Sequence, residues 1–252
     1  MFHITRARIS ILILLALGGP IAAVPVSAAT AVLFDSIAPG VQRGTEGFGT
    51  ATVLVPSSTY VTYLVRTDSR LAGRRVQIWT DTGSGWQLAT TRSIEADGAV
   101  HYYARVTGRI GFWAKYPGVT PAATSHGRLA GVSSDGSVTI RLTCEDMGPT
   151  GAGVKSIASR TVAAQVGRTV RLVICSSPAT GFSWGLVALD TLHLMRVGHT
   201  ATADNAPGVA GTETWSLRPK SPGVGRATFV YSQPWRGGEK AAWTLVLTVT
   251  TP

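Results

Sequence analysis

The side chains best equipped for chemistry in this 252-residue chain are five histidines and two cysteines, and their spacing argues against a reaction. His3, His101, His126, His193 and His199 make no HExxH pair, and the chain holds no GxSxG elbow, phosphate loop or dinucleotide fingerprint. His193 and His199 are six residues apart, which puts both on one face if they share a strand. Surface or half-buried structural histidines fit that pattern better than a metal site, which needs more ligands. Cys144 and Cys175 are too far apart for a CxxC redox or zinc motif. In an exported chain they most simply form one disulfide, closing a loop of roughly 30 residues for about 3–4 kcal/mol of loop entropy. Two separate thiols are the alternative, and nothing near Cys175 supports a cysteine–histidine nucleophile. Neither catalysis nor a metal or cofactor is expected.

What the sequence does offer is a recognition surface. Three segments combine backbone-stiffening proline with glycine that permits close approach: "SSPATGFSW" with Pro178 and Gly181, "TADNAPGVAG" with Pro207, Gly208 and Gly211, and "SQPWRGG" with Pro234, Gly237 and Gly238. Trp235 adds a large aromatic group at a loop tip, the residue type that most often anchors a protein interface. Each segment alone reads as an ordinary turn.

Short runs rich in Val, Thr, Tyr and Trp, punctuated by Gly, Pro, Asp and Ser, must position these segments, and they predict an all-β fold. In the first half the strands are "TATVLV", "YVTYLVRT", "RRVQIWT", "WQLATTR", "VHYYARV" and "RIGFWAKY". In the second, "SVTIRLTC" is followed by strands at roughly 168–175, 184–189, 193–199, 212–218, 226–232 and 242–250. Alternation turns Trp243, Leu245, Leu247 and Val249 toward a core, with Ala227, Phe229, Tyr231, Val170, Leu172 and Ile174. Cys175 then falls on the opposite face, within reach of a covering segment that carries Cys144. Counted from the strand ending at Cys175, the three glycine- and proline-bearing segments are the first, third and fifth connections. In an antiparallel up-and-down chain they return to the same end.

At the N-terminus, Arg6 and Arg8 precede an apolar run from Ile9 to Leu17, then Gly18, Gly19, Pro20 and the small-residue pattern Val26-Ser27-Ala28. Residues 1–28 read as a signal peptide of a secreted or surface-associated protein; an uncleaved anchor is the rival, though nine uninterrupted residues fall short of the ~20 that span a bilayer. The formal charge of +10 comes mostly from scattered arginines. That pattern gives no nucleic-acid stripe and implies weak attraction to an anionic cell envelope. The stretch 117–136, rich in Pro, Gly, Ser, Thr and Ala, suggests a boundary between two β-sandwich domains, 30–133 and 136–252. The segment "LAGRRVQIWTDTGSGWQLATTRSIEADGAVHYYARVTGRIGFWAKYPG" resembles the immunoglobulin-like repeats of secreted bacterial surface proteins, which implies a spacer or adhesive module.

From about Arg160 onward, "AQVGRTVRL" leading into "SPATGF", then "GVAG", then "FVYSQPW" resemble the chagasin family, inhibitors of papain-like cysteine peptidases. That family carries Asn-Pro-Thr-Thr-Gly-Tyr/Phe, a Gly-x-Gly-Gly type loop and Arg-Pro-Trp/Phe in the same order. The resemblance implies an immunoglobulin-like β-barrel whose loop edge wedges sterically and reversibly into the peptidase cleft; separately, a monomer is expected. By position it assigns Ser177, Pro178, Ala179, Thr180, Gly181 and Phe182 to the central loop. Gly208, Val209, Ala210 and Gly211 fall to the second, and Gln233, Pro234, Trp235 and Arg236 to the third. Ser177 stands for the family's Asn, Ala179 for its first Thr, Ala210 for a Gly and Gln233 for its Arg, changes that bear on potency. A cell-surface adhesive protein with a non-inhibiting chagasin-like domain is the other reading.

Overall fold

The computed structural model describes residues 31–39, 52–118, 123–147, 155–202 and 211–252. The segment read as a signal peptide lies outside the described residues, as do Gly208, Val209 and Ala210 of the second loop. The first half contributes β1 (Ala31–Ser36), β2 (Ala38–Pro39), β3 (Val53–Val55), β4 (Thr59–Arg66), β5 (Arg75–Asp81), β6 (Gln87–Ser93), β7 (Ala99–Val106), β8 (Ile110–Tyr116), β9 (Ala123–Thr124) and β10 (Arg128–Val132). The second contributes β11 (Val138–Leu142), β12 (Ser156–Ala163), β13 (Val170–Ser176), β14 (Ser183–Leu189), β15 (Leu194–Thr202), β16 (Gly211–Pro219), β17 (Gly223–Ser232) and β18 (Trp243–Thr251). The expected all-β class is what forms.

These strands build two sheets, and each sheet runs through both halves. One has the order β14-β17-β18-β12-β1-β4-β7; the other runs β15-β16-β13-β11-β3-β10-β8-β5-β6, with β9 and β2 attached beside β8. Within the second half, β12, β18, β17 and β14 face β13, β16 and β15, the arrangement of an immunoglobulin-type sandwich. Apolar residues alternate inward as period-2 patterning requires, most regularly in β18, where Trp243, Leu245, Leu247 and Val249 are buried. The buried residues of both halves join in one continuous core, from Leu33, Tyr63 and Phe112 to Leu172, Phe229 and Leu247.

Where the halves meet, backbone pairing is sparse and buried charge is dense. β12 meets β1 at one position, Ala31 opposite Val162, and β11 meets β3 at two, Thr139 opposite Leu54 and Ile140 opposite Val53. Beside this seam the buried Asp35 accepts hydrogen bonds from the Tyr63 hydroxyl (3.1 Å) and the Gly127 amide (3.1 Å). Arg128 reaches from β10 to Asp146 at 2.8 Å and to Asp35 at 3.6 Å. Arg160 on β12 donates to the Asp146 carbonyl and lies over the Phe34 ring. Burial pushes the Tyr63 phenol well above its ordinary pKa, with the Asp35 charge adding to the effect. Such groups are tolerated inside only when paired.

Three elements depart from the sequence reading, each for a physical reason. β12 went unseen because its inward positions are Ala158, Arg160 and Val162, and a buried arginine breaks the apolar alternation. β10 lies inside the stretch whose composition suggests a linker, yet Arg128, Leu129 and Ala130 are buried between β8 and β3. β13 is buried on both faces from Leu172 to Ser176, being an interior strand, so Cys144 reaches Cys175 from the parallel neighbour β11 and not from a covering segment.

Candidate recognition edge

The first connection is short and closed on itself. Pro178–Thr180 form a 3₁₀ turn in which the Thr180 amide donates to the Ser177 carbonyl (3.0 Å) and the Gly181 amide to the Pro178 carbonyl (2.8 Å). The Thr180 hydroxyl also donates to the Ser177 carbonyl, at 2.7 Å. Gly181 ends the turn at φ 76°, a left-handed conformation that disfavours other residues. Ala179 and Thr180 are exposed at the tip, while Ser177, Pro178 and Phe182 are half-buried at its flanks.

The third connection is folded over the first. The six-membered ring of Trp235 lies so close to Gly181 that a Cβ there would meet it at 2.2 Å. Gly181 is thus needed twice, for backbone angle and for space. Gln233 bridges the loops, its side-chain amide donating to the Thr180 carbonyl (3.2 Å) and accepting from the Glu239 amide (2.9 Å). The Lys240 ammonium gathers the carbonyls of Gln233 and Trp235. Pro234, Trp235 and Arg236 stay exposed, with Trp235 49% accessible.

Of the second connection, the described residues are its anchors. Gly211 opens β16 opposite Ser176, and Thr202 closes β15 opposite Thr212, so the connection leaves the sandwich beside the first loop. Ser183 pairs with Ser232, which places the roots of the first and third loops side by side. The three connections share one end, as strand parity requires.

Beneath this end lies a support that sequence reading missed. The carboxylate of Glu213, 1% exposed, accepts from the Ser176 hydroxyl (2.8 Å) and the Trp184 amide (3.0 Å) through one oxygen and contacts His199 Nε2 (2.8 Å) through the other. One side chain of β16 thereby ties together the end of β13, the start of β14 and the second half of β15. The signal was available: Glu213 shares its face with Trp215 and Leu217, so alternation puts an acid in the core. Tyr231, on the neighbouring sheet, accepts from the Ser177 amide at 2.7 Å, and burial raises its phenol pKa. Its ring stacks on Phe182 and Trp243 (5.1 Å each) and tilts against Trp184 (5.1 Å).

The cysteines and histidines fall into place around these supports. Cys144 and Cys175 form the disulfide, with Cα atoms 5.2 Å apart, just before the first loop. His193 precedes β15 and bonds to Asp190 (2.9 Å), whereas His199 stacks on Trp215 (3.8 Å), so the two do not converge. No group of three or more potential metal ligands exists among the described residues.

Residues 163–249 match the family model of the chagasin family peptidase inhibitor I42. That span includes all three connections of this edge, from Cys175 through Lys240. Among solved structures, the cysteine protease inhibitor EhICP2 from Entamoeba histolytica is similar at 19% identity, covering 45% of this chain and 96% of that one, with a TM-score of 0.35. Amebosin is similar at 20% identity, over 44% and 96% of the two chains, with a TM-score of 0.30. PbICP-C, solved in complex with falcipain-2, is similar at 12% identity, over 45% and 98%, with a TM-score of 0.34. No curated protein matches the chain.

Proposed function

We propose that this chain is a secreted inhibitor of papain-like cysteine peptidases that obstructs the cleft with the three loops of its chagasin-type edge. The observation that carries the reading is the interlocked pair of loops, with Trp235 laid on Gly181 and Gln233 bonded to Thr180. A surface already fixed by its own contacts loses little entropy on binding. In this reading Ser177–Phe182 sit at the catalytic centre, and Gly208–Gly211 and Gln233–Arg236 flank it on either side. The block is steric and reversible, since the edge carries no group arranged to react. Gln233 takes on the work of holding the loops together in place of an arginine reaching the enzyme. Residues 1–28 direct export and are removed.

The test is an inhibition titration of the full chain against several papain-type enzymes, with Trp235→Ala and Ala179→Thr alongside. Trp235→Ala is expected to weaken inhibition by about 2 kcal/mol, roughly thirtyfold. Ala179→Thr, which adds a hydroxyl at the exposed tip, is expected to strengthen it. Absence of inhibition at micromolar concentration across the panel overturns the reading.

A further inference from the structure

Strand directions decide which connections of the first half share the recognition edge. β12 runs parallel to β18, β1 antiparallel to β12, β4 parallel to β1 and β7 antiparallel to β4. The end of β4 and the start of β7 therefore lie toward the same side as the start of β18. The opposite sheet agrees: through β11, β3, β10 and β8, the start of β5 and the end of β6 also face that side. Two connections of the first half, 67–74 and 94–98, thus form a second rim.

The two rims are physically continuous. The Ser156 amide, at the start of β12, donates to the Ala242 carbonyl at the foot of the third loop (3.2 Å). Ser156 and Ile157 then face Leu64 and Arg66 across one open groove. The second rim is also rigid. Thr67 donates to the Gly98 carbonyl (3.0 Å), Gly73 to that of Ile94 (2.8 Å) and Ile94 to that of Arg74 (2.8 Å). Its acids all have partners, Asp68 with Arg70, Asp97 with Arg66 and Glu95 with His101, while Arg74 and the adjoining Arg75 are exposed with no ion pair among the described residues.

Resting on the function proposed above, we infer that this second rim is an accessory surface that engages an acidic patch beside the cleft of the same peptidase. Three strand spacings separate β18 from β4, about 14 Å, whereas a globular catalytic domain of roughly 200 residues is about 40 Å across. An enzyme seated on the three loops extends over the second rim. Strand twist of about 20–25° per step turns that rim by about 60–75°, so it meets the enzyme's flank. Unpaired arginines there steer association more than they hold the complex.

The experiment compares the full chain with Arg74→Glu/Arg75→Glu, and with Arg105→Glu/Lys220→Glu at the opposite end as a control of equal net charge. Association with a papain-type peptidase of acidic isoelectric point is followed at low and high salt. Arg74→Glu/Arg75→Glu is expected to slow association about tenfold at low salt and hardly at all at high salt, with the control near the unaltered rate. Trp235→Ala, measured in parallel, reports on the loops alone. If the unaltered chain inhibits and Trp235→Ala weakens it, while Arg74→Glu/Arg75→Glu associates at the unaltered rate or the control slows equally, the accessory rim is wrong and the loop reading stands. If the unaltered chain inhibits no such enzyme, both fall.

Discussion

The two rims on one edge of this sandwich are both rigid, and they are stiffened by opposite chemistry. Around the recognition loops the fixing groups are aromatic: Phe182, Tyr231, Trp184 and Trp243 form a ladder, and Trp235 closes over Gly181. On the rim of the first half they are charged: Asp68 with Arg70, Arg66 with Asp97 at 2.7 Å, and Glu95 with His101 at 2.7 Å. An aromatic ladder is already dry and keeps its geometry when a partner strips water from around it. Exposed ion pairs depend on solvent and salt and contribute little to stability. The first kind of rim suits a narrow cleft; the second suits an open flank.

The largest test of this contrast is covalent. Replacing both cysteines, Cys144→Ser with Cys175→Ser, is expected to lower unfolding stability by about 3–4 kcal/mol in denaturant titration, because the bridge closes a long loop beneath the aromatic rim. Next, Gly181→Val forces a branched side chain into a left-handed backbone for about 1–2 kcal/mol and displaces Trp235. Inhibition is expected to fall at least as far as for Trp235→Ala; equal inhibition by the valine variant would show that the closed loop pair is not the binding form. Tyr231→Phe removes the acceptor of the Ser177 amide, with an expected loss of about 1 kcal/mol in stability and a severalfold rise in the inhibition constant.

The smallest effect belongs to the charged rim. The Arg70 side chain and amide, both bonded to Asp68, lower its pKa from the ordinary 3.8 to about 2. A carboxyl depressed in the folded state contributes stability that is complete above 3.8 and disappears as pH falls through about 2. Lowering the pH from 7 to 5 is therefore expected to leave the Asp68–Arg70 pair unchanged. A carboxyl NMR titration should place the Asp68 midpoint near 2 in the native chain and near the ordinary value in Arg70→Ala.

The sequence made the recognition end legible because local rules govern it. Alternation in "AAWTLVLTVT" and "RATFVY" identified the inward faces of β18 and β17, and strand parity placed the three loops together. What it hid is tertiary. That Trp235 rests on Gly181 depends on two loops 54 residues apart meeting at one spacing. Gln233 reads as a departure from the arginine of the family the sequence resembles, and only the geometry reveals a bridge. The seam was invisible for a different reason: its strands carry buried Arg160, Arg128 and Asp35, which patterning assigns to solvent. The continuity of the two sheets follows from the few pairings there, Ala31 with Val162 and Ile140 with Val53, which no spacing rule predicts.

That continuity bears on anyone who would carry the three-loop end into another protein. Excised at its sequence boundary, the second half would turn β11 and β12 from interior strands into open edges. Unpaired strands of this kind recruit a strand from another molecule. The excised piece would be prone to exchange segments with its own copies, and one of the exchanging strands leads directly to Cys144. A usable graft would need a substitute for β1 and β3, or polar and proline substitutions that make those two edges unreceptive.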